Sequence, residues 1–268
     1  MEKRYTLITG ATGGLGRSFC FLLAGKNKNL ILSATNIDRL NVLKTELLSI
    51  NKDIDIQCFE CNMADELSRK KLFDGLKNGG FLIEMLINNA GYITEGSIEK
   101  TTRDTLIQTI RVNCEGTIDI TKFIIDNHND KNKLNILTIS SFAALQPMPY
   151  MAIYAASKSF LMSFMTALRQ EVKDKNIIVS TALPSGIYTT NAMKEAIKSQ
   201  GIGGRLSSHT PDYIARYAYQ KAIKGKAIII PGVFNRFTKI VSICVTYNGL
   251  AKIVGKRWKK SQEKRNMV

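Results

Sequence analysis

The chain has 268 residues, is 44% hydrophobic and carries a formal net charge of +16, enough apolar residues for one well-buried core and too many for a disordered chain. Its five cysteines, Cys20, Cys58, Cys61, Cys114 and Cys244, are an odd number, which argues against a disulfide framework and for reduced thiols. The start Met1-Glu2-Lys3-Arg4 runs directly into an apolar segment, and the late apolar stretch Ile240 to Val254 is short and interrupted by Thr246 to Gly249 and Lys252, so neither a signal peptide nor a transmembrane span is expected and the expected location is cytoplasmic.

Residues 4–10 read as a strand and end in Thr9-Gly10-Ala11-Thr12-Gly13-Gly14-Leu15-Gly16, after which Phe19, Leu22 and Leu23 mark a helix. Strand, glycine-rich turn and helix form the context in which backbone N–H groups reach a pyrophosphate and the helix N-terminus adds its positive end. A second strand at 29–35 is followed by a helix at 38–49 with Leu40, Leu43, Leu47 and Leu48 on one stripe. A third strand at 54–61 holds Cys58 and Cys61. Residues three apart on a strand face opposite ways and no His or Cys pair stands near, so no metal site is expected.

The fourth strand, 81–88, ends in Asn88-Asn89-Ala90-Gly91, and a long helix around 101–126 carries Asn113. The fifth strand, 134–140, ends in Ser140-Ser141. A helix from about Met151 to Lys173 follows, with Tyr154 and Lys158 one turn apart on one face. Strands at 177–183 and 227–230 complete the alternation. The two histidines, His128 and His209, sit in polar segments and read as surface residues.

The Tyr154/Lys158 pair carries chemistry. A phenol titrates near 10 and is a poor proton donor or base at neutral pH, but a fixed cation favours the phenolate. Together with the glycine-rich turn, Asn89-Ala90-Gly91, Asn113 and Ser141, at their spacing, the pair resembles the short-chain dehydrogenase/reductase family, in its NADP-preferring carbonyl, hydroxysteroid and 3-ketoacyl reductase branch. The resemblance covers residues 4–232.

That resemblance implies an α/β Rossmann fold, a doubly wound parallel sheet of about seven strands in the order 3-2-1-4-5-6-7, over residues 1–232. A lid is expected at about 188–212 and a basic, partly amphipathic extension at 233–268. It implies that Tyr154 exchanges a proton with the substrate oxygen. It further implies that Lys158 lowers the phenol's pKa and binds the nicotinamide ribose, that Ser141 orients the oxygen, and that Asn113 holds the helix and a water. Ser140 is the competing hydroxyl.

The cofactor contacts implied are Gly10, Thr12, Gly13, Gly14, Leu15, Gly16, Thr35, Asn36, Asn62, Met63, Asn89, Ala90, Gly91, Tyr154 and Lys158, with Pro184, Gly186, Ile187 and Thr189 after the sixth strand. Two positions depart from the family pattern. Asn62 stands where an aspartate is usual, and Ser185 separates Pro184 from Gly186. The second strand ends Ser33-Ala34-Thr35-Asn36 without an acid to bind a ribose 2′-hydroxyl, so NADP(H) is expected over NAD(H). Arg17 and Arg39 read equally as phosphate partners or as helix-surface residues, whereas Asp38 reads as a helix-start residue.

The expected activity is hydride exchange between nicotinamide and a hydrophobic ketone or secondary alcohol. A 3-oxoacyl group on acyl carrier protein is an alternative substrate, and a non-catalytic dinucleotide sensor or scaffold is an alternative of another class. Met193, Ile197 and Gly201 to Gly204 would cover the substrate from the lid, and Gln146 to Met151 would form the opposite wall. Family members are commonly dimers or tetramers. From Lys221 onward the chain has one acid, Glu263, against twelve lysines and arginines. Two readings stand for this basic end: a solvated tail, or an element that covers the substrate side or rests on an anionic membrane through Phe234, Phe237, Ile240, Val241, Val245 and Trp258. No nucleic-acid motif is present.

Overall fold

A computed structural model of the chain describes residues 3–243 and 245–266, so Cys244 lies outside the described residues. Seven parallel strands, β1 (Arg4–Thr9), β2 (Asn29–Ala34), β3 (Ile56–Glu60), β4 (Leu82–Asn88), β5 (Leu134–Ile139), β6 (Ile177–Ala182) and β7 (Ile228–Ile229), form one sheet in the order β3-β2-β1-β4-β5-β6-β7. Their apolar runs fit a sheet buried on both faces: Tyr5 to Thr9 and Leu30 to Ala34 are all buried.

On one face, α1 (Gly14–Ala24), α2 (Ile37–Ile50) and α9 (Pro211–Ile223) pack Phe19, Leu23, Leu40, Leu43, Leu47 and Ile214 against the strands. On the other, α3 (Glu66–Asn78), α5 (Gly116–Asp126) and α6 (Ala152–Glu171) bring Leu72, Leu76, Ile120, Met165 and Leu168, and α4 (Arg103–Ile110) packs on α6. The side chains of Asn36, Asp65, Thr102 and Thr210 accept backbone N–H bonds and start four of these helices. The cap of α2 is therefore Asn36, with Asp38 inside the first turn.

The long helix expected at 101–126 is interrupted. A π-helical turn, Arg111–Glu115, joins α4 to α5 and carries Asn113. Such single turns insert one residue and re-aim the side chains on either side. Arg69 of α3, almost fully buried, bonds Glu115 at 2.5 Å, Asp119 at 2.6 Å and the Met63 carbonyl at 2.8 Å. It thereby fixes the β3–α3 loop against α5.

Three further corrections follow from packing. His128 and His209 are half-buried, each with a ring nitrogen sealed from solvent, and are not surface residues. Burial lowers the pKa of His209. The helix α9 was not apparent in the sequence. The expected lid resolves into α7 (Asn191–Ser199) and α8 (Gly201–Ser207), and the chain end into α10 (Val233–Ile243) and α11 (Tyr247–Asn266), the latter packed on α7. None of the described helices is long and apolar enough to cross a membrane.

Candidate active site

Strand order reverses between β1 and its neighbours β2 and β4, which opens a crevice at the carboxyl ends of β1 and β4. A cavity of about 1040 Å³ lies there. Every residue assigned above to catalysis or to the cofactor lines it, except Asn36, Asn113 and the two arginines considered for the phosphate, Arg17 and Arg39.

The β1–α1 turn forms one wall. Gly10 has φ +64, and a Cβ on it would meet the Ala90 Cα at 2.9 Å. A Cβ on Gly16 would lie 2.2 Å from the Gly10 carbonyl oxygen and 2.9 Å from Asn89 Nδ2. Asn89 Nδ2 in turn donates to the carbonyls of Thr9 and Gly10, both at 3.0 Å, so the turn is locked to the end of β4. Gly16→Ala is expected to lower both Tm and dinucleotide affinity. Thermal unfolding with and without NADPH checks this, and an unchanged NADPH-induced rise in Tm would reject the packing argument.

The outer side of the same turn is open. A Cβ on Gly13 would meet only the Gly10 carbonyl, at 3.4 Å. Helix α1 has no side-chain cap and no acid in its first turn. This is a cradle suited to a diphosphate, so the residues present fit a dinucleotide. Thr35 is exposed at the cavity wall, while Asn36 accepts from the Arg39 N–H at 2.8 Å and serves the helix start. Arg17 pairs with Glu46 at 2.5 Å, which leaves the exposed Arg39 as the cation at the end of β2.

Asn113 acts from behind the wall. Its Oδ1 accepts from the Tyr92 N–H at 2.7 Å. Its Nδ2 donates to the Tyr92 carbonyl at 3.0 Å and to Ser157 Oγ at 2.9 Å. Ser157 Oγ donates to the Tyr154 carbonyl at 2.7 Å. The π-turn therefore clamps the loop after β4 to the helix that carries Tyr154 and Lys158. Ser157 was not singled out in the sequence, because serine inside a helix usually signals nothing.

The paired serines at the end of β5 diverge. Ser140 Oγ, buried, donates to the Lys158 carbonyl at 2.7 Å. The Ser141 hydroxyl accepts from the Ala143 N–H at 3.1 Å and hydrogen-bonds Tyr154. Lys158 is buried and its Nζ donates to the Ile139 carbonyl at 3.0 Å. A Cβ on Gly91 would come within 3.4 Å of that Nζ, so the glycine leaves room for it. Burial holds the Lys158 pKa down at about 8. Burial raises that of Tyr154, and the Ser141 bond offsets part of the rise. The direction is therefore up, by burial, and not down as the resemblance implied.

The far wall is apolar. From the lid it takes Met193, Ala196 and Ile197, and from the loop before α6 Gln146, Met148 and Met151, whereas Pro149 and Tyr150 line a separate cavity of about 560 Å³. Phe234, Phe237, Val241, Val245 and Trp258 close it from the chain end, while Ile240 points elsewhere. Arg257, at the rim, is a cation that sequence reasoning did not connect to the site. Among the described residues no group of His, Cys, Asp and Glu is arranged to hold a metal ion.

The family model for short chain dehydrogenases matches residues 4–200. A very-long-chain 3-oxoacyl-CoA reductase of Neurospora crassa is 35% identical over 194 residues, 71% of this chain and 58% of that protein. A 17-beta-hydroxysteroid dehydrogenase type 3 of Mus musculus is 30% identical over 190 residues, 69% of this chain and 61% of that protein. The chain thus spans less than two thirds of the length of these curated relatives. Among solved structures, a short-chain dehydrogenase from Sphingobium yanoikuyae in complex with NADPH superposes with a TM-score of 0.76 at 21% identity, covering 90% of this chain and 93% of that one. The chain belongs to the short-chain dehydrogenase family.

Proposed function

We propose that this member of the short-chain dehydrogenase family is an NADP(H)-dependent reductase of a ketone carried on a long apolar substrate. The observation that carries the reading is the union, in one cavity, of Ser141, Tyr154 and Lys158 with a wall built from the lid, α10 and α11. NADPH, when bound, supplies the hydride for the carbonyl carbon.

The protein's own groups handle the oxygen. Negative charge develops there during reduction, so donors fixed in advance lower the barrier. The Ser141 hydroxyl, which donates to the Tyr154 oxygen here, and the protonated Tyr154 phenol become the two donors once Ser141 turns its single O–H to the substrate oxygen, and Tyr154 gives up its proton. Lys158 spends one N–H on the Ile139 carbonyl and has two more for ribose hydroxyls. Gly13 and the open N-terminus of α1 would hold the diphosphate, and Asn62 and Met63 the adenine.

The preference for NADP rests on an absent carboxylate. Residues 34–36 carry no acid, and Thr35 at the cavity wall, with the exposed Arg39 in the first turn of α2, suits a 2′-phosphate. Thr35→Asp is expected to turn the preference toward NAD by setting like charge against that phosphate. Steady-state kcat/KM with each cofactor checks it, and a wild-type preference for NAD would overturn the reading.

The apolar wall together with the reductase names of the relatives favours a 3-oxoacyl thioester over a small keto acid. The rim cation Arg257 suits a phosphate-bearing carrier. NADPH absorbance with a series of 3-oxoacyl thioesters and steroid ketones is the test. Rates that rise with chain length support the acyl reading, and no turnover of any ketone would return the chain to a sensing or scaffold role. Homo-oligomerisation, a cytoplasmic location and the division at residue 232 remain parts of this proposal, open to sedimentation, fractionation and truncation.

A further inference from the structure

The apolar cavity opens onto an apolar surface. Val233, Phe237 and Ile240 lie on one face of α10 and are 74%, 62% and 64% exposed. Ile202 and Leu206 are exposed on α8, which packs against α10, and the exposed Ile253 of α11 shares the cavity wall with Phe237 and Val241. Scattered exposed apolar residues need no explanation, but a contiguous cluster marks a contact. Phe237, Val241 and Ile253 are at once exposed and part of the cavity wall, so the mouth of the cavity lies within the patch.

On α10 and α11 themselves the charge has one sign. Arg236, Lys239, Lys252, Lys256, Lys259 and Lys260 are on α10 and α11, and no acid occurs between Val233 and Ser261. A second copy would bring the same cations together, and it would carry the same +16 charge. An acidic protein would answer the cations but not an apolar face with an apolar cavity behind it. Anionic phospholipid answers both, with acyl chains for the face and phosphates for the rim.

We propose that α10, α11 and α8 form a docking surface for an anionic phospholipid bilayer, and that the cavity mouth, seated on it, takes its apolar substrate directly from the lipid. The docking stands on the surface alone. The delivery of substrate rests on the reductase reading above.

The test uses the full chain and sedimentation with phosphatidylcholine vesicles, with and without phosphatidylserine. Binding is expected to the anionic vesicles only, and to weaken at high salt. Val233 and Ile240 do not line the cavity. A Val233→Glu/Ile240→Glu variant is expected to bind at least tenfold more weakly and to turn over a water-soluble ketone like wild type, which also reports that it is folded. Its turnover of a ketone dissolved in anionic vesicles should fall in parallel. Lys252→Gln/Lys260→Gln should weaken binding severalfold and flatten its salt dependence.

Failure of the wild type to bind anionic vesicles at low salt overturns the proposal. So does binding that survives Val233→Glu/Ile240→Glu, or a self-association that this variant abolishes, which would make the face an interface between copies. Capture of an acidic carrier protein without vesicle binding overturns it as well. Vesicle binding without turnover of any ketone would sink the reductase reading and leave the docking surface standing.

Discussion

Tyr154→Phe is expected to lower kcat for ketone reduction about a thousandfold while NADPH affinity stays unchanged, in the range that a positioned acid contributes. Only the hydroxyl is removed. The ring keeps its place in the wall, and the helix it rides on is held through Ser157 and Asn113, which do not use the phenol. The pH profile gives a second readout. Burial raises the Tyr154 pKa, so the phenol is protonated at neutral pH, the form that reduction requires. Reduction should therefore hold level through neutral pH and decline only where the phenol ionises. Alcohol oxidation, which requires the phenolate, should climb with pH over the same range. Turnover by Tyr154→Phe within a few fold of wild type, or an oxidation rate flat in pH, would remove Tyr154 from the proton path.

The sheet was legible because strands buried on both faces leave long apolar runs, and because their carboxyl ends are written in Gly10, Asn89, Ser141 and Pro184. Helix α9 was not, since its buried face uses Ala215, Ala218 and Ala222 beside Ile214, a stripe too faint to separate from a loop. The π-turn at Asn113 has no sequence signature. Its consequence, three side-chain hydrogen bonds from Asn113 to Tyr92 and Ser157, joins residues far apart in the chain. Nothing in the sequence sets Arg69 apart, because its burial depends on Glu115 and Asp119 arriving from the π-turn and α5. The direction of the Tyr154 shift failed for the same reason. Spacing places Lys158 one turn away, but it does not reveal that its ammonium is spent on the Ile139 carbonyl and is itself desolvated. At the chain end the amphipathic character was legible, but which residues turn inward was not. Ile240 stays outside while Phe237 and Val241 reach the cavity.

Lys158→Met is expected to abolish most turnover and weaken NADPH binding, yet to raise Tm near pH 7. The two effects share one cause. The ammonium is 4% exposed, donates one hydrogen bond, to the Ile139 carbonyl, and lies 5.8 Å from the Tyr154 ring centre, and burial depresses its pKa from 10.5 to about 8. Between those values the unfolded chain binds the proton that the folded chain releases, so stability rises with pH across that window. Below about pH 8 both states are charged and the full cost of burying the cation is borne by the fold. Methionine removes that cost at similar length, losing the bond to Ile139 and the cation's contact with the Tyr154 ring. The advantage of the variant should therefore be largest near pH 7 and shrink as pH climbs from about 8 toward 10.5, where the wild-type lysine folds uncharged. Melting curves of the two proteins at several pH values, without cofactor, measure it. A difference in Tm that does not change with pH would mean that Lys158 is not a strained cation. Added NADPH should then favour wild type, since the ribose hydroxyls give its remaining N–H groups acceptors that the variant cannot use.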